Sequence, residues 1–137
     1  MLHSKNKPCI IDFSKIGSPQ LGYISVAEVQ KNIPFEIQRV YWAYYTPDSV
    51  MRGFHAHHQL EQILIAVSGS ITLECEMLNG EKYIFELTHP NEGVYMPAYC
   101  WHTMKYSHNS VQLCIANMTY DEADYIRDYS AFISFRE

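Results

Sequence analysis

Apolar residues in this chain come in short runs, broken about every ten residues by turn-forming groups, which is the spacing of many short strands. Cys9-Ile10-Ile11-Asp12-Phe13 is the first run, and Phe35 to Tyr45 is dense in the aromatic and β-branched residues that suit a pleated surface. Gln62-Ile63-Leu64-Ile65-Ala66-Val67 stops at the turn signal Ser68-Gly69-Ser70. Ile71 to Glu76 alternates apolar and polar residues as a half-buried strand does. Asn79-Gly80 is a hairpin signal, with Lys82 to Leu87 as the return strand. Gly93 to Pro97 and Val111 to Ala116 predict two more strands. From Thr119 to Asp128 the acids come early and Arg127 late, and Tyr125, Ile126, Tyr129 and Phe132 recur at helical spacing. This predicts a short C-terminal helix capped by Thr119 or Asp121, with Asp121, Asp124, Arg127 and Asp128 as solvated charges. The expected fold is all-β, a sandwich or barrel with one short helix, formed as a single domain over residues 1–137.

Composition narrows the function. Apolar residues make up 47% of the chain and charged residues 18%, which belongs to a folded globular protein. The formal net charge of −5 and the lack of any basic run argue against nucleic-acid binding. No apolar stretch approaches the ~20 residues of a membrane-spanning helix. Met1 to Pro8 lacks the apolar core of a secretion signal, so a cytoplasmic location is expected. Cys9, Cys75, Cys100 and Cys114 form no CxxC pair and are expected to be buried thiols. The eleven tyrosines supply rings that either pack or line a partly polar pocket.

The segment Arg52-Gly53-Phe54-His55-Ala56-His57-His58-Gln59-Leu60-Glu61-Gln62 carries the candidate chemistry. Residues i and i+2 of a strand share a face, so His55 and His57 project together and His58 points the other way. Two rim histidines without a role would give the same spacing. The context is more specific: Gln62 follows His57 after four residues, and Gly69 follows Gln62 after six. Further on, Gly93, Pro97 and His102 occur in order. This resembles the two motifs of the cupins, with Gln62, Tyr99 and Tyr106 at positions where those motifs carry glutamate, glycine and asparagine. The resemblance implies a jelly-roll β-barrel. With an amide at Gln62 in place of a carboxylate, the set lacks an anionic metal ligand. A metal-free site is therefore expected, without cofactor, although three histidines alone suffice for zinc in some enzymes.

The runs Phe35 to Tyr44, Arg52 to His57, Gly93 to His102 and Tyr120 to Tyr129 together resemble the WxcM-like cupins. That family includes 3,4-ketoisomerases of dTDP-4-keto-6-deoxyglucose, which feed the synthesis of dTDP-3-amino-3,6-dideoxyhexoses for surface polysaccharide. The resemblance implies a metal-free homodimer that binds a dTDP-linked 4-keto-6-deoxy sugar in the barrel mouth. Proton abstraction at C3 and return at C4 through an enediol suit imidazoles, whose ordinary pKa lies near neutral.

On this reading His57 is the base, His55 its partner in moving protons, and Tyr44 the acid or orienting hydroxyl, with Tyr41 and Tyr45 competing for that role from the opposite face. Arg52 is either a diphosphate ligand or an exposed charge, and Gln62, Tyr23 and His102 are candidate substrate contacts. A metal-dependent cupin built on His55, His57 and His102, a sugar 3,5-epimerase and a non-catalytic sugar-nucleotide-binding cupin remain as alternatives. The residues leave the C4 configuration of the product open.

Overall fold

The computed structural model describes residues 6–136, so residues 1–5 of the Met1–Pro8 segment and residue 137 lie outside the described residues. In chain order the strands are β1 (Cys9–Asp12), β2 (Ile16–Ser18), β3 (Gly22–Ile24), β4 (Arg39–Tyr44), β5 (Met51–His57), β6 (Gln62–Ser68), β7 (Ile71–Met77), β8 (Lys82–Leu87), β9 (Glu92–Met96), β10 (Cys100–Tyr106), β11 (Val111–Ala116) and β12 (Tyr125–Ile126). Ten of them form two antiparallel sheets, ordered β1-β9-β6-β11-β4 and β12-β5-β10-β7-β8, while β2 and β3 pair only with each other. The two large sheets share no ladder among the described residues, so the expected jelly roll is an open one, two facing sheets rather than a closed barrel.

The alternation read from the sequence sets the layers. In β7, Ile71, Leu73 and Cys75 are buried between the sheets, where they meet Leu64 and Ala66 of β6 and Val94 and Met96 of β9. The odd-numbered residues of β6, Ile63 and Ile65, face the other way. There they join Phe13, Ile33, Phe35, Tyr95 and Ile115 in a second apolar layer. This explains why Phe35, predicted as strand, lies outside β4: its ring, 7% exposed, covers the back of the first sheet. The Asn79-Gly80 hairpin joins β7 and β8 as expected, with Gly80 at φ +88°. Cys75, Cys100 and Cys114 are buried free thiols, and Cys9 is only partly covered.

The C-terminal run departs from the expected single helix. Asp121 caps a 3-10 turn at Glu122–Asp124, β12 follows, and Asp128 caps helix α1 (Tyr129–Ile133). Thr119 caps neither element. The helical spacing was overridden because β5 has an edge in need of partners. β12 pairs there, Tyr125 opposite His57 and Ile126 opposite Ala56. α1 then places Phe132 against Ala56, Ile126 and Trp101, on the face of β5 away from the sheet interior.

Phe132 is fully buried in this small outer cluster. Phe132→Ala is expected to cost about 3–5 kcal/mol, the usual range for truncating a buried phenylalanine. Urea unfolding monitored by circular dichroism checks this, and a loss below about 1 kcal/mol would show that α1 is not a packed part of the fold.

Candidate active site

Three histidines come together between the sheets. β5 supplies His55 and His57, and β10 supplies His102, directly opposite His55 in register. Ring centroids are 5.1 Å apart for His55–His57, 4.6 Å for His55–His102 and 6.4 Å for His57–His102. Local backbone chemistry makes this approach possible. Gly53 has φ +98°, and a Cβ there would sit 2.6 Å from the carbonyl oxygen of His102. Phe54 follows at φ +58° as the extra residue of a β-bulge, half exposed. The bulge resets the alternation, so that Arg52 and His55, three residues apart, line the same cavity.

Each imidazole has one nitrogen committed. Nδ1 of His55 lies 3.1 Å from the Gly53 carbonyl, and Nδ1 of His102 lies 3.0 Å from the Cys100 carbonyl. A carbonyl only accepts, so both Nδ1 atoms carry the proton. Nδ1 of His57 donates to Oδ2 of Asp124 at 3.1 Å. All three Nε2 atoms therefore hold lone pairs. Burial, reinforced by the charges of His55, Arg39 and Arg127, pulls His57 down to about 3. Burial and then His55 pull His102 to about 3, and burial also lowers His55. The cluster is neutral at physiological pH.

Asp124 is the residue of the candidate site that sequence reasoning missed. It is 6% exposed, not solvated. Its side chain also accepts the backbone N–H of Gln59 (2.7 Å) and Leu60 (3.3 Å), and its carbonyl accepts the N–H of His58. Its only sequence signal is its setting between Ala123 and Tyr125-Ile126, and the helical spacing hid that signal. Asp121, Arg127 and Asp128 are exposed as expected.

A cavity of ≈ 550 Å³ opens beside the histidine cluster, and its wall includes His55, Arg39, Tyr41, Tyr44, Arg52, Gln112, Tyr120, Tyr125 and Arg127. His55 is the imidazole on this wall, and His57 and His102, 4% and 3% exposed, are packed behind it. Tyr44 stands on the wall at the rim, 56% exposed. Tyr41 turns its hydroxyl inward to donate to Oε1 of Gln62 at 3.2 Å, and burial holds its pKa far above the usual tyrosine value. Gln62 is buried beside it. His58 faces away as its place in the alternation requires, near the Tyr99 hydroxyl and the Phe135 ring. Tyr99, at a position where the cupin motif has glycine, holds φ +54° and gives its N–H to the His57 carbonyl at 2.7 Å. Tyr106, at the motif's asparagine position, is buried with its hydroxyl on Gln112. Tyr23 is not brought to the histidines: it lines a separate cavity of ≈ 630 Å³ with Lys15 and Leu113.

A family model described as WxcM-like, C-terminal, matches residues 6–137. The chain belongs to the WxcM-like family. A curated relative, the TDP-4-oxo-6-deoxy-alpha-D-glucose-3,4-oxoisomerase of Aneurinibacillus thermoaerophilus, is 39% identical over 90% of this chain and 88% of its own length. The structure of QdtA, a sugar 3,4-ketoisomerase from Thermoanaerobacterium thermosaccharolyticum in complex with TDP, superposes with a TM-score of 0.89. It is 33% identical and the match covers 95% of this chain and 94% of that one. WlaRA, a TDP-fucose-3,4-ketoisomerase from Campylobacter jejuni, gives a TM-score of 0.87 at 30% identity over 95% and 96% of the two chains. This WxcM-like chain is thus an isomerase with a cupin-type β fold.

The depressed histidines make stability depend on pH. In the unfolded WxcM-like chain each imidazole would protonate near ~6.5, whereas folded His57 and His102 stay neutral to about 3. Their folded-state pKa is lowered, so the unfolded chain binds the extra protons as the pH falls. Stability is full above ~6.5 and is lost on acidification, by at most ~1.4 kcal/mol per pH unit for each histidine. Urea titrations over roughly pH 7 to 5 are expected to show this loss, with a shallower slope in His102→Asn. A pH-independent midpoint across that range would contradict the neutral cluster.

Proposed function

We propose that this chain is a 3,4-ketoisomerase that converts dTDP-4-keto-6-deoxyglucose to a dTDP-3-keto-6-deoxyhexose, without metal or cofactor. The observation that carries the reading is the cluster of three neutral imidazoles at a cavity whose wall also holds three guanidinium groups. The named activity of the 39% identical relative supports the substrate.

The reaction moves two protons. One leaves C3 and returns at C4, and the other leaves the C3 hydroxyl and is gained by the oxygen of the C4 ketone. The sequence assigned the base to His57. The geometry favours exchanging the two roles: His55, on the cavity wall, takes the C3 proton on Nε2. His57, held by Asp124 in the Nδ1–H tautomer, keeps Nε2 ready to pass protons within the cluster. Tyr41 and Tyr44 are the candidate hydroxyls for the sugar oxygens, Tyr41 from the interior and Tyr44 from the rim. Arg52 and Arg127, both exposed at the cavity, suit the diphosphate. His102 supports the cluster from β10, and Gln62 supports Tyr41. The amide of Gln62, already accepting from Tyr41, is a poor substitute for a metal-binding carboxylate, so activity is assigned to the side chains alone. The 3-keto product would suit amination on the way to dTDP-3-amino-3,6-dideoxy sugars of surface polysaccharide.

No described helix is long and apolar enough to cross a membrane, and cytoplasmic residence goes with the nucleotide-linked substrate. A homodimer is proposed with it. Ile16, Leu21 and Ile24 of the β2–β3 hairpin and Val40, Trp42 and Tyr44 on edge strand β4 are all exposed apolar surface. The hairpin that carries Tyr23 is part of that surface, so a contact of Tyr23 with substrate would run through the assembled dimer. Sedimentation is expected to give twice the mass of one chain at micromolar concentration. A stable monomer would refute the dimer.

The isomerase assignment is tested by incubating chelator-treated protein with dTDP-4-keto-6-deoxyglucose in D2O and following the product by NMR. A 3-keto product with deuterium at C4 is expected, whereas inversion at C3 or C5 with the ketone still at C4 would mark an epimerase. His55→Asn is expected to lose at least ~100-fold in kcat, on the scale of one positioned acid–base group. His57→Asn and Asp124→Asn should each lose a substantial fraction of that, and His58→Asn should stay near wild type. A severe His58 variant alongside an active His55 variant would sink the assignment of the cluster.

A further inference from the structure

Arg39 has no part in the reading of the sequence, yet its surroundings are unusual for an arginine. It starts β4, and Ala116 of β11 lies between it and Gln62 in register, which puts Arg39, Gln62 and Ala116 on the same inward row. Its guanidinium lies over two aromatic faces, 5.4 Å from the Tyr41 ring centroid and 5.8 Å from that of Tyr120. Its Nε is buried and has no hydrogen-bond partner. Among the described residues no carboxylate pairs with it, whereas Arg127, in the same cavity wall, is held by Glu122 at 3.0 Å. Two rings thus fix a cation whose donors are left for something else. Arginine held this way is preorganised, and a buried unpaired donor is costly unless an anion completes it.

Depth separates the three guanidiniums of the cavity. Arg52 and Arg127 are exposed, and Arg39 is half-buried beside the inward hydroxyl of Tyr41. Its charge, like that of Arg127, reaches the buried imidazole of His57, which sits in the facing sheet. A diphosphate suits the two exposed groups because it keeps part of its hydration. That leaves the inner group for the sugar.

We infer that Arg39 is a catalytic residue that stabilises the oxyanion formed on the sugar during isomerisation, an assignment that rests on the ketoisomerase reading above. When the C3–H bond breaks, its proton goes to the imidazole and its electron pair forms the C3=C4 double bond. The former C=O π pair then resides on the C4 oxygen as negative charge, facing the guanidinium. That oxygen next takes a proton to give the enediol. The C3 hydroxyl loses its proton, its electrons form the new C3=O bond, and the C3=C4 pair captures a proton at C4. A fixed cation aimed at the oxygen where charge develops acts most strongly in the transition state, so its loss falls on kcat.

The test is Arg39→Lys, Arg39→Met and Arg39→Ala against Arg127→Met, with kcat and KM measured on dTDP-4-keto-6-deoxyglucose and dTDP affinity measured by calorimetry. Arg39→Met is expected to lose ~100-fold or more in kcat, as for removal of one oxyanion donor, and to keep dTDP affinity within a few-fold. Arg127→Met should weaken dTDP binding more than Arg39→Met does and lose less in kcat. Arg39→Lys, which keeps the charge and loses the fork, should fall between. Added guanidinium should restore part of the Arg39→Ala rate, which a merely misfolded variant would not show. If Arg39→Met weakens dTDP binding as much as Arg127→Met and keeps its saturated rate, Arg39 is a diphosphate ligand and the inference fails. If the Arg39 variants keep wild-type kcat and affinity, it fails too. If wild-type protein leaves dTDP-4-keto-6-deoxyglucose unchanged, the ketoisomerase reading itself fails, a result distinct from the other two.

Discussion

The carboxylate of Asp124 is the tie on which the candidate site depends. It takes Nδ1–H of His57 and two backbone N–H groups of the chain just beyond β5, and its own carbonyl takes a third. These bonds pin the end of β5 to the segment leading into β12. With that segment in place, β12 can pair along the edge of β5 and bring Tyr125 to 4.4 Å from the His57 ring and 5.1 Å from the His55 ring. A buried carboxylate is costly unless its oxygens are satisfied, and here N–H donors satisfy both. The same donors leave His57 no freedom of tautomer. Structure and chemistry therefore share one set of hydrogen bonds.

Much of this was legible in the sequence because it depends on alternation and turn chemistry. β8 and β11 have the predicted limits, the Asn79-Gly80 turn is where it was expected, and His55 and His57 share a face while His58 does not. Alternation holds between His55 and His58 because the bulge at Phe54 lies before them. What was not legible depends on contacts distant in sequence. The spacing of Tyr125, Ile126, Tyr129 and Phe132 is truly helical, yet Tyr125 and Ile126 became strand because an open edge of β5 lay within reach. Asp124 read as solvated for the same reason: its donors come from residues more than sixty positions away. Tyr23 read as a site residue, but the hairpin that carries it pairs only with itself.

Neutral imidazoles and fixed cations are complementary here. Burial keeps His57 and His102 uncharged, and the same lowering makes each a weaker proton acceptor and its protonated form a stronger acid. Burial also pushes the Tyr41 hydroxyl further from ionising. In the ketoisomerase reading proposed above, negative charge developing on a sugar oxygen would be met by a permanent cation, and arginine, whose guanidinium stays protonated at any working pH, supplies one. Lysine there would keep a charge but lose the planar fork.

The strained backbone lies where this arrangement demands it. Gly53 at φ +98° lets β5 approach β10 closely enough for His55 to face His102, and no side chain fits there. Tyr99 holds φ +54° at a motif position that favours glycine, which costs roughly 1 kcal/mol or more for a residue with a Cβ. Its return is positional: the N–H meets the His57 carbonyl, the hydroxyl meets His58, and the ring packs on Phe135. Glycine would relieve the strain and keep the N–H bond, but it would lose the hold on His58 and the C-terminal segment. The strain at Tyr99 thus connects the outer helix region to the same two-residue stretch, His57-His58, whose inner side belongs to the candidate site.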